Sequence, residues 1–408
     1  MTSLLHVIAG AIGAIAATLW SVVIVAWWYI AAWAIIVLIC WAVKAERFGV
    51  SGLPTYLMYR TTRLNKWIAA IAEYKPTAWR TIWNIGIVTG FGSMGYIFYQ
   101  LSKNLAFLFV KPQQATSVQL IVPIPGLFIS FQTFPYVALA LSVLLVSHEL
   151  SHGIASLADH IPLKSTGVFY AHILMGGFVE PDEEKLNNAR NVSKLRVFAA
   201  GSFTNIVLGF MFVVLLVNFS ATIAPFYSPG GVSIGSISSN LPANGSGLQA
   251  GDVVTRINGT QVLGLADLQS YMLAVNPGQR VLLQTQRGTF MVKTAADPSN
   301  SSHALIGIGG LTEAYNPKLP FLSRNLPQIL HEAEVWIQLF LVSVGLVNML
   351  PVPLLDGDRL LEVALDVIGV PRRKEIRKVA NAAAFSLIIL TFLVAGARFG
   401  FLSIFLRS

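Results

Sequence analysis

Residues 134–147 form an apolar run that continues directly into His148-Glu149-Leu150-Ser151-His152. Such a run reads as the start of a helix buried in lipid. At that depth a single segment must satisfy its own backbone hydrogen bonds, which leaves a helix as its structure. A carboxylate there costs about 3 kcal/mol unless something compensates it. Positions four apart on a helix share a face, so His148 and His152 can grip one metal ion. Glu149 then sits beside the ion, where a general base is needed to deprotonate water. The plainer alternatives are a chance match or an interhelical polar network. Chance matches are common in soluble helices and rare inside an apolar span, because of their cost there.

Composition agrees with a lipid setting. The chain is 54% hydrophobic and only 12% charged, against about 25% charged residues in soluble domains. The net charge of +9 would suggest nucleic acid in a soluble protein. In a membrane protein, Lys and Arg instead collect in cytoplasmic loops and set orientation, so no nucleic-acid partner is expected. The single cysteine, Cys40, excludes an internal disulfide and a multi-cysteine zinc site.

The hydropathy pattern predicts a polytopic α-helical membrane protein of about six or seven transmembrane helices. Residues 4–43 are apolar for roughly 40 residues, twice what one span needs, as a hairpin or one long helix. No basic n-region precedes this stretch, so it does not read as a cleaved signal peptide. Residues 44–80 are basic, with interleaved aromatic and aliphatic side chains, and read as a segment lying on the membrane surface. Further spans are expected near 82–109, 134–158, 196–219, 330–350 and 379–405. The positive-inside rule places 44–80, 159–196 and 357–378 in the cytoplasm, and so 220–329 outside. That last segment changes character. Short β-like runs (Val253–Ile257 and others) alternate with the turns Asn258-Gly259, Pro277-Gly278 and Arg287-Gly288, predicting a small strand-rich domain. The expected division is 1–81, an N-terminal hydrophobic and basic part; 82–219, the first membrane part; 220–329, the inserted domain; and 330–408, the second membrane part.

A catalytic zinc site needs three protein ligands and an open position. The candidate third ligand is Asp356, in Asn348-Met-Leu-Pro351-Val-Pro353-Leu-Leu-Asp356-Gly357. The prolines would break the helix, which is tolerated at depth only where the backbone lines a protein cavity. Asp356 reads equally well as a cap of the following basic helix. The two motifs together resemble those of the site-2 protease family of intramembrane zinc metalloproteases. That resemblance implies that His148, His152 and Asp356 bind zinc, that Glu149 is the general base and that Asn348 helps hold substrate. Gly201-Ser-Phe-Thr-Asn205 is similar to the family's Gly-x-x-x-Asn element, with helix packing as the plainer reading. Met175-Gly176-Gly177-Phe178-Val179-Glu180 resembles its strand-like segment, whose edge could receive an unwound substrate. Asn205, Gly177 and Phe178 thus join Asn348 as expected substrate contacts.

Gly247-Leu-Gln-Ala-Gly251-Asp252 through Asn258-Gly259 resembles a protease-associated PDZ domain. The resemblance covers about residues 82–360 and implies regulated intramembrane proteolysis, with lipid and a transmembrane protein substrate as partners. It places the protein in the cell membrane, its PDZ-like domain extracytoplasmic and its site towards the cytoplasm. Three rivals compete. A prenyl-protein-processing zinc protease would normally use a later glutamate as third ligand. A zinc transporter would be expected to show more polar groups in other spans. An inactive zinc-binding scaffold would not need Glu149. His160, His172, His303 and His331 lack partners at ligand spacing, with His172 nearest the Gly176-Gly177 segment.

Overall fold

The computed structural model describes residues 27–116, 121, 124–125, 128–171, 174–298 and 300–399. The chain divides into two compact units: Met1–Val213 with Trp336–Ser408, and Val214–Val335.

The helices in chain order are α1 (Trp27–Ala42), α2 (Arg63–Glu73), α3 (Pro76–Val110), α4 (Phe134–Ala158), α5 (Glu183–Asn188), α6 (Asn191–Val217), α7 (Phe219–Ile223), α8 (Leu265–Leu273), α9 (Leu326–Val347), α10 (Asp356–Ile368) and α11 (Arg373–Phe399). Among the described residues, α4, α6, α9 and α11 are long and apolar enough to cross a membrane. The expected span near 82–109 is a single 35-residue helix, α3. It falls outside that apolar class, because Arg80, Asn84, Gln100, Lys103 and Asn104 interrupt it. The N-terminal half of the 4–43 stretch, up to residue 26, lies outside the described residues.

Some helix ends have a local reason. Proline in the first turn opens α3 and α4, where its missing N–H removes no helical bond. Gly369, at a φ of 68°, closes α10 in the left-handed conformation that glycine adopts freely. Small residues then let helices approach. A Cβ on Gly86 would touch Phe203, and one on Gly209 would stand 2.5 Å from Val342, so α6 packs closely on both α3 and α9.

Four antiparallel strands complete this unit: β1 (Val50–Ser51), β2 (Leu57–Thr61), β3 (Leu163–Ala171) and β4 (Leu174–Pro181), in spatial order β1-β2-β3-β4. β4 is therefore an edge strand. The expected surface segment 44–80 carries no strand signal, yet β1 and β2 come from it and extend the sheet. α2, from the same segment, buries Ile68 and Ala72 against Ile154 and Ala155 of α4.

One end of the bundle is clamped by charge. The side chain of Asp159, just beyond α4, is 7% exposed. It pairs with Arg80 of α3 at 3.1 Å and Arg196 of α6 at 2.9 Å. Arg80 also donates to the Ala158 carbonyl, and Arg196 to Asn84 of α3.

The second unit is built on a six-stranded sheet. Its strands are β5 (Tyr227–Ser233), β6 (Ser236–Ile237), β7 (Val253–Ile257), β8 (Thr260–Gln261), β9 (Arg280–Thr285), β10 (Gly288–Lys293), β11 (Ala295–Asp297), β12 (Asn300–Leu305), β13 (Ile308–Gly309) and β14 (Thr312–Pro317). The sheet runs β10-β9-β7-β5-β14 with β8 paired to β7, while β11–β12 and β6–β13 pair separately. Val232, Ile234, Val254, Ile257 and Leu283 fill its core with Leu268 of α8. Asn258 and Gly259, at φ of 47° and 84°, make the β7–β8 turn.

Candidate metal centre

His148 and His152 stand on successive turns of α4, and Asp356 is the first residue of α10. One Asp356 carboxylate oxygen lies 3.2 Å from Nε2 of each histidine. The two Nε2 atoms are 3.1 Å apart. All three ligand atoms fall within 4.8 Å of one another, and no other His, Cys, Asp or Glu triplet among the described residues does so. Asp356 caps nothing: the residue before the helix is Leu355, and no side-chain cap bond forms.

The surroundings turn the histidine nitrogens inward. His152 Nδ1 is 2.7 Å from the Val197 carbonyl oxygen, which can only accept. Nδ1 therefore carries the proton, and the Nε2 lone pair faces Asp356. His148 Nδ1 lies 3.1 Å from the Asn205 amide, which also meets the Ser147 hydroxyl at 2.9 Å. The Asn205 side-chain nitrogen is the atom beside Nδ1, and the Asn205 oxygen accepts from the Ser147 hydroxyl, so Asn205 fixes the His148 ring. Two ring nitrogens and a carboxylate oxygen thus converge on one point. This nitrogen and oxygen set fits zinc. Gly201 of α6 keeps space there, since a Cβ would stand 2.5 Å from His152 Nε2 and 2.6 Å from His148 Cε1.

The break between α9 and α10 delivers Asp356. Asn348 donates to Asp356 at 2.8 Å and to Ser202 at 3.2 Å. The Gly357 N–H donates back to the Asn348 carbonyl at 2.9 Å. A Cβ on Gly357 would stand 2.1 Å from the Met349 carbonyl oxygen, which accounts for glycine after the aspartate.

Glu149 faces β4. Its carboxylate accepts from the Val179 N–H at 2.9 Å, and a Cβ on Gly177 would lie 3.2 Å from its Cγ. Gly177 thus sits against Glu149 on the edge strand, while Phe178 packs beneath Arg60 at 5.8 Å. Asn205 corrects the sequence expectation. It is completely buried, with its amide engaged by His148 and Ser147, so it orients a histidine and is closed to substrate. Asn348 touches the cluster itself. Gly201, Ser202, Val179 and Val197 were not singled out for these contacts. Gly201 and Ser202 carry a signal in the Gly-x-x-x-Asn resemblance and in helix packing, Val179 in the strand-like segment, and Val197 carries none. His160 bonds to Arg80, and His331 stacks edge-on against Phe219. His172 lies outside the described residues.

Residues 136–391 match the model of peptidase family M50. A membrane-bound transcription factor site-2 protease homolog of Arabidopsis thaliana is 30% identical over 139 residues, which is 34% of this chain and 27% of that protein. A putative zinc metalloprotease of Campylobacter jejuni is 22% identical over 345 residues, covering 63% of this chain and 91% of that protein. The chain spans 27%, 65% and 60% of the length of the first three curated relatives it matches. The solved PDZ domain of an SdrC-like protein from Listeria monocytogenes is 26% identical, covering 19% of this chain and 84% of that one, at a TM-score of 0.18. The family match runs from the first turn of α4 into α11 and takes in His148, Glu149, His152, Gly201, Asn205, Asn348 and Asp356. The chain belongs to peptidase family M50, the family of the site-2 proteases.

Proposed function

We propose that this protein is a zinc-dependent endopeptidase that cuts membrane-spanning proteins within or beside the bilayer. One observation carries the reading: Glu149, next in sequence to His148 of the cluster, is held by an edge strand with a free side. A proton-handling group, a metal-ligand set and a surface for an extended peptide then meet at one place. His148, His152 and Asp356 would hold zinc, which when bound makes water acidic near neutral pH and polarises a carbonyl oxygen. Glu149 takes a proton from the attacking water. It passes that proton to the amine nitrogen as the C–N bond breaks, and the water oxygen ends in the new carboxylate. The Val179 N–H fixes one Glu149 oxygen and leaves the other for the proton. A helical peptide bond is shielded, so the substrate must unwind. An unwound segment can pair along β4.

The orientation belongs to the same proposal. α3 is about 52 Å long at 1.5 Å per residue, enough to cross a bilayer as a fifth span. The apolar N-terminal stretch supplies one or two more. The basic segments 44–80, 159–196 and 357–378 lie in the cytoplasm, and the 220–329 domain lies outside, where a PDZ-type module would screen substrates. His148 and His152 fall late in an outside-to-inside helix, so the cut falls in the cytoplasmic half of the bilayer.

The test is zinc-loaded wild type against Glu149→Gln on a membrane-spanning substrate. The variant should keep its zinc and cleave about 100-fold or more slower. Equal rates would remove Glu149 as the base. Zinc fully retained by Asp356→Ala would remove Asp356 as a ligand.

A further inference from the structure

A cavity of about 850 Å³ opens beside Glu149. One wall is α4, where Ser142, Leu145, Val146 and Glu149 share a single helical face. A second wall is the sheet, whose register sets Tyr59 beside Val168 and Val168 beside Gly177. The third is α2, through Leu64, Trp67, Ile68 and Ile71, and Cys40 completes the lining. Glu149 is the only carboxylate or basic group among the lining residues. Trp67 is 74% exposed and Val168 is 58% exposed, so large apolar groups face the cavity without protein to cover them.

Two features say what enters. Successive side chains of a strand point to opposite faces. A peptide added to the free edge of β4 therefore sends every second side chain onto the face shared by Gly177, Val168 and Tyr59, which is the cavity side. The volume exceeds that of any one side chain, so residues i and i+2 of the added strand can both enter. Much of the wall comes from α2, β2 and Cys40, which precede residue 136, where the family match begins. We propose that this cavity receives bulky apolar side chains at alternate positions around the scissile bond, and that the segment from Cys40 to Glu73 sets their size. This rests on the peptidase reading above.

The test uses the zinc-loaded full chain and one membrane-spanning substrate, with each residue near its cut changed between Phe and Ala. Phe should be favoured at alternate positions by about 10-fold or more in kcat/KM. Ser142→Phe, two turns from Glu149, should fill the cavity and abolish that preference. Trp67→Ala should shift it towards larger side chains. Ratios unchanged in both variants would overturn the proposal. Cys40, the sole cysteine, gives a readout without turnover. In Glu149→Gln, the Phe-bearing substrate should slow alkylation of Cys40 by N-ethylmaleimide several-fold, and the Ala-bearing one should not. Equal alkylation with and without substrate would make the occupant a lipid chain and sink the idea. Protection of Cys40 beside a wild type that cleaves nothing would sink the peptidase reading and support the cavity as a binding site for apolar segments.

Discussion

Gly201 shows how closely the cluster is bounded. Alanine is the better helix former by roughly 0.5–1 kcal/mol, so Gly201→Ala should leave helix content unchanged. Its methyl group would occupy the space beside both histidine rings. The expected outcome is loss of bound zinc with an unaltered circular dichroism spectrum; full zinc content would show that the space is not the ion's. Asn205→Ala should act more mildly, weakening zinc affinity about 10- to 100-fold by freeing the His148 ring, as read by competition with a chelator. At this scale the sequence is legible where chemistry follows spacing. His148 and His152 share a face because four residues nearly complete a turn. Asp356 could be read as ligand or cap from its surroundings, and only the fold takes it to the histidines. The Val197 carbonyl and the Gly201 gap depend on where α6 lies, which no local pattern states.

Between elements, the contact of α4 with β4 matters most, because it fixes Glu149 independently of the metal ligands. Gly177→Val should press on the Glu149 stem from the strand side. Zinc content should stay at the wild-type level while cleavage falls at least 10-fold; a parallel loss of zinc would mean that the whole site had moved. The long apolar helices are readable from hydropathy, since lipid leaves one solution for such runs. The strands from residues 44–80 are hidden because β1 and β2 are two and five residues long, too short for an alternation to show. α3 is hidden in part by its own polar residues.

At the scale of the whole chain, the second unit has its own source of stability. The carboxylate of Asp252 is almost wholly buried and accepts from Arg287 through both oxygens, and from the Gln249 N–H at 2.9 Å. The Arg287 guanidinium holds this carboxyl below the usual carboxylate range, against the opposing effect of burial. A depressed value stabilises the fold above the unfolded pKa of about 3.9 and loses that contribution as pH falls below it. Asp252→Asn should therefore lower full-chain unfolding stability at pH 7 by about 2 kcal/mol. Its stability should then change less than the wild type's between pH 4 and 2; identical acid profiles would assign no role to the pair. The turns of this unit are readable in advance because Asn258-Gly259 and Gly288 supply backbone angles that few other residues accept. The pairing of β5 with β14, across about 80 residues of chain, is not, because it is set by the core and not by a local turn.

The clamp at Asp159 has a mechanical consequence. It ties the end of α4 to α3 and α6 through two arginines. His148 lies 11 residues back along the helix, about 16 Å at 1.5 Å per residue. α4 is thus a lever with its fulcrum at Asp159, and each degree of tilt moves His148 sideways by only about 0.3 Å on that arm. The ligand pair sits on the shorter arm, while the far half packs through Val137, Ala140 and Leu144 against α9. A given tilt of α4 about that point therefore displaces the histidines by less than half of what it does at Phe134.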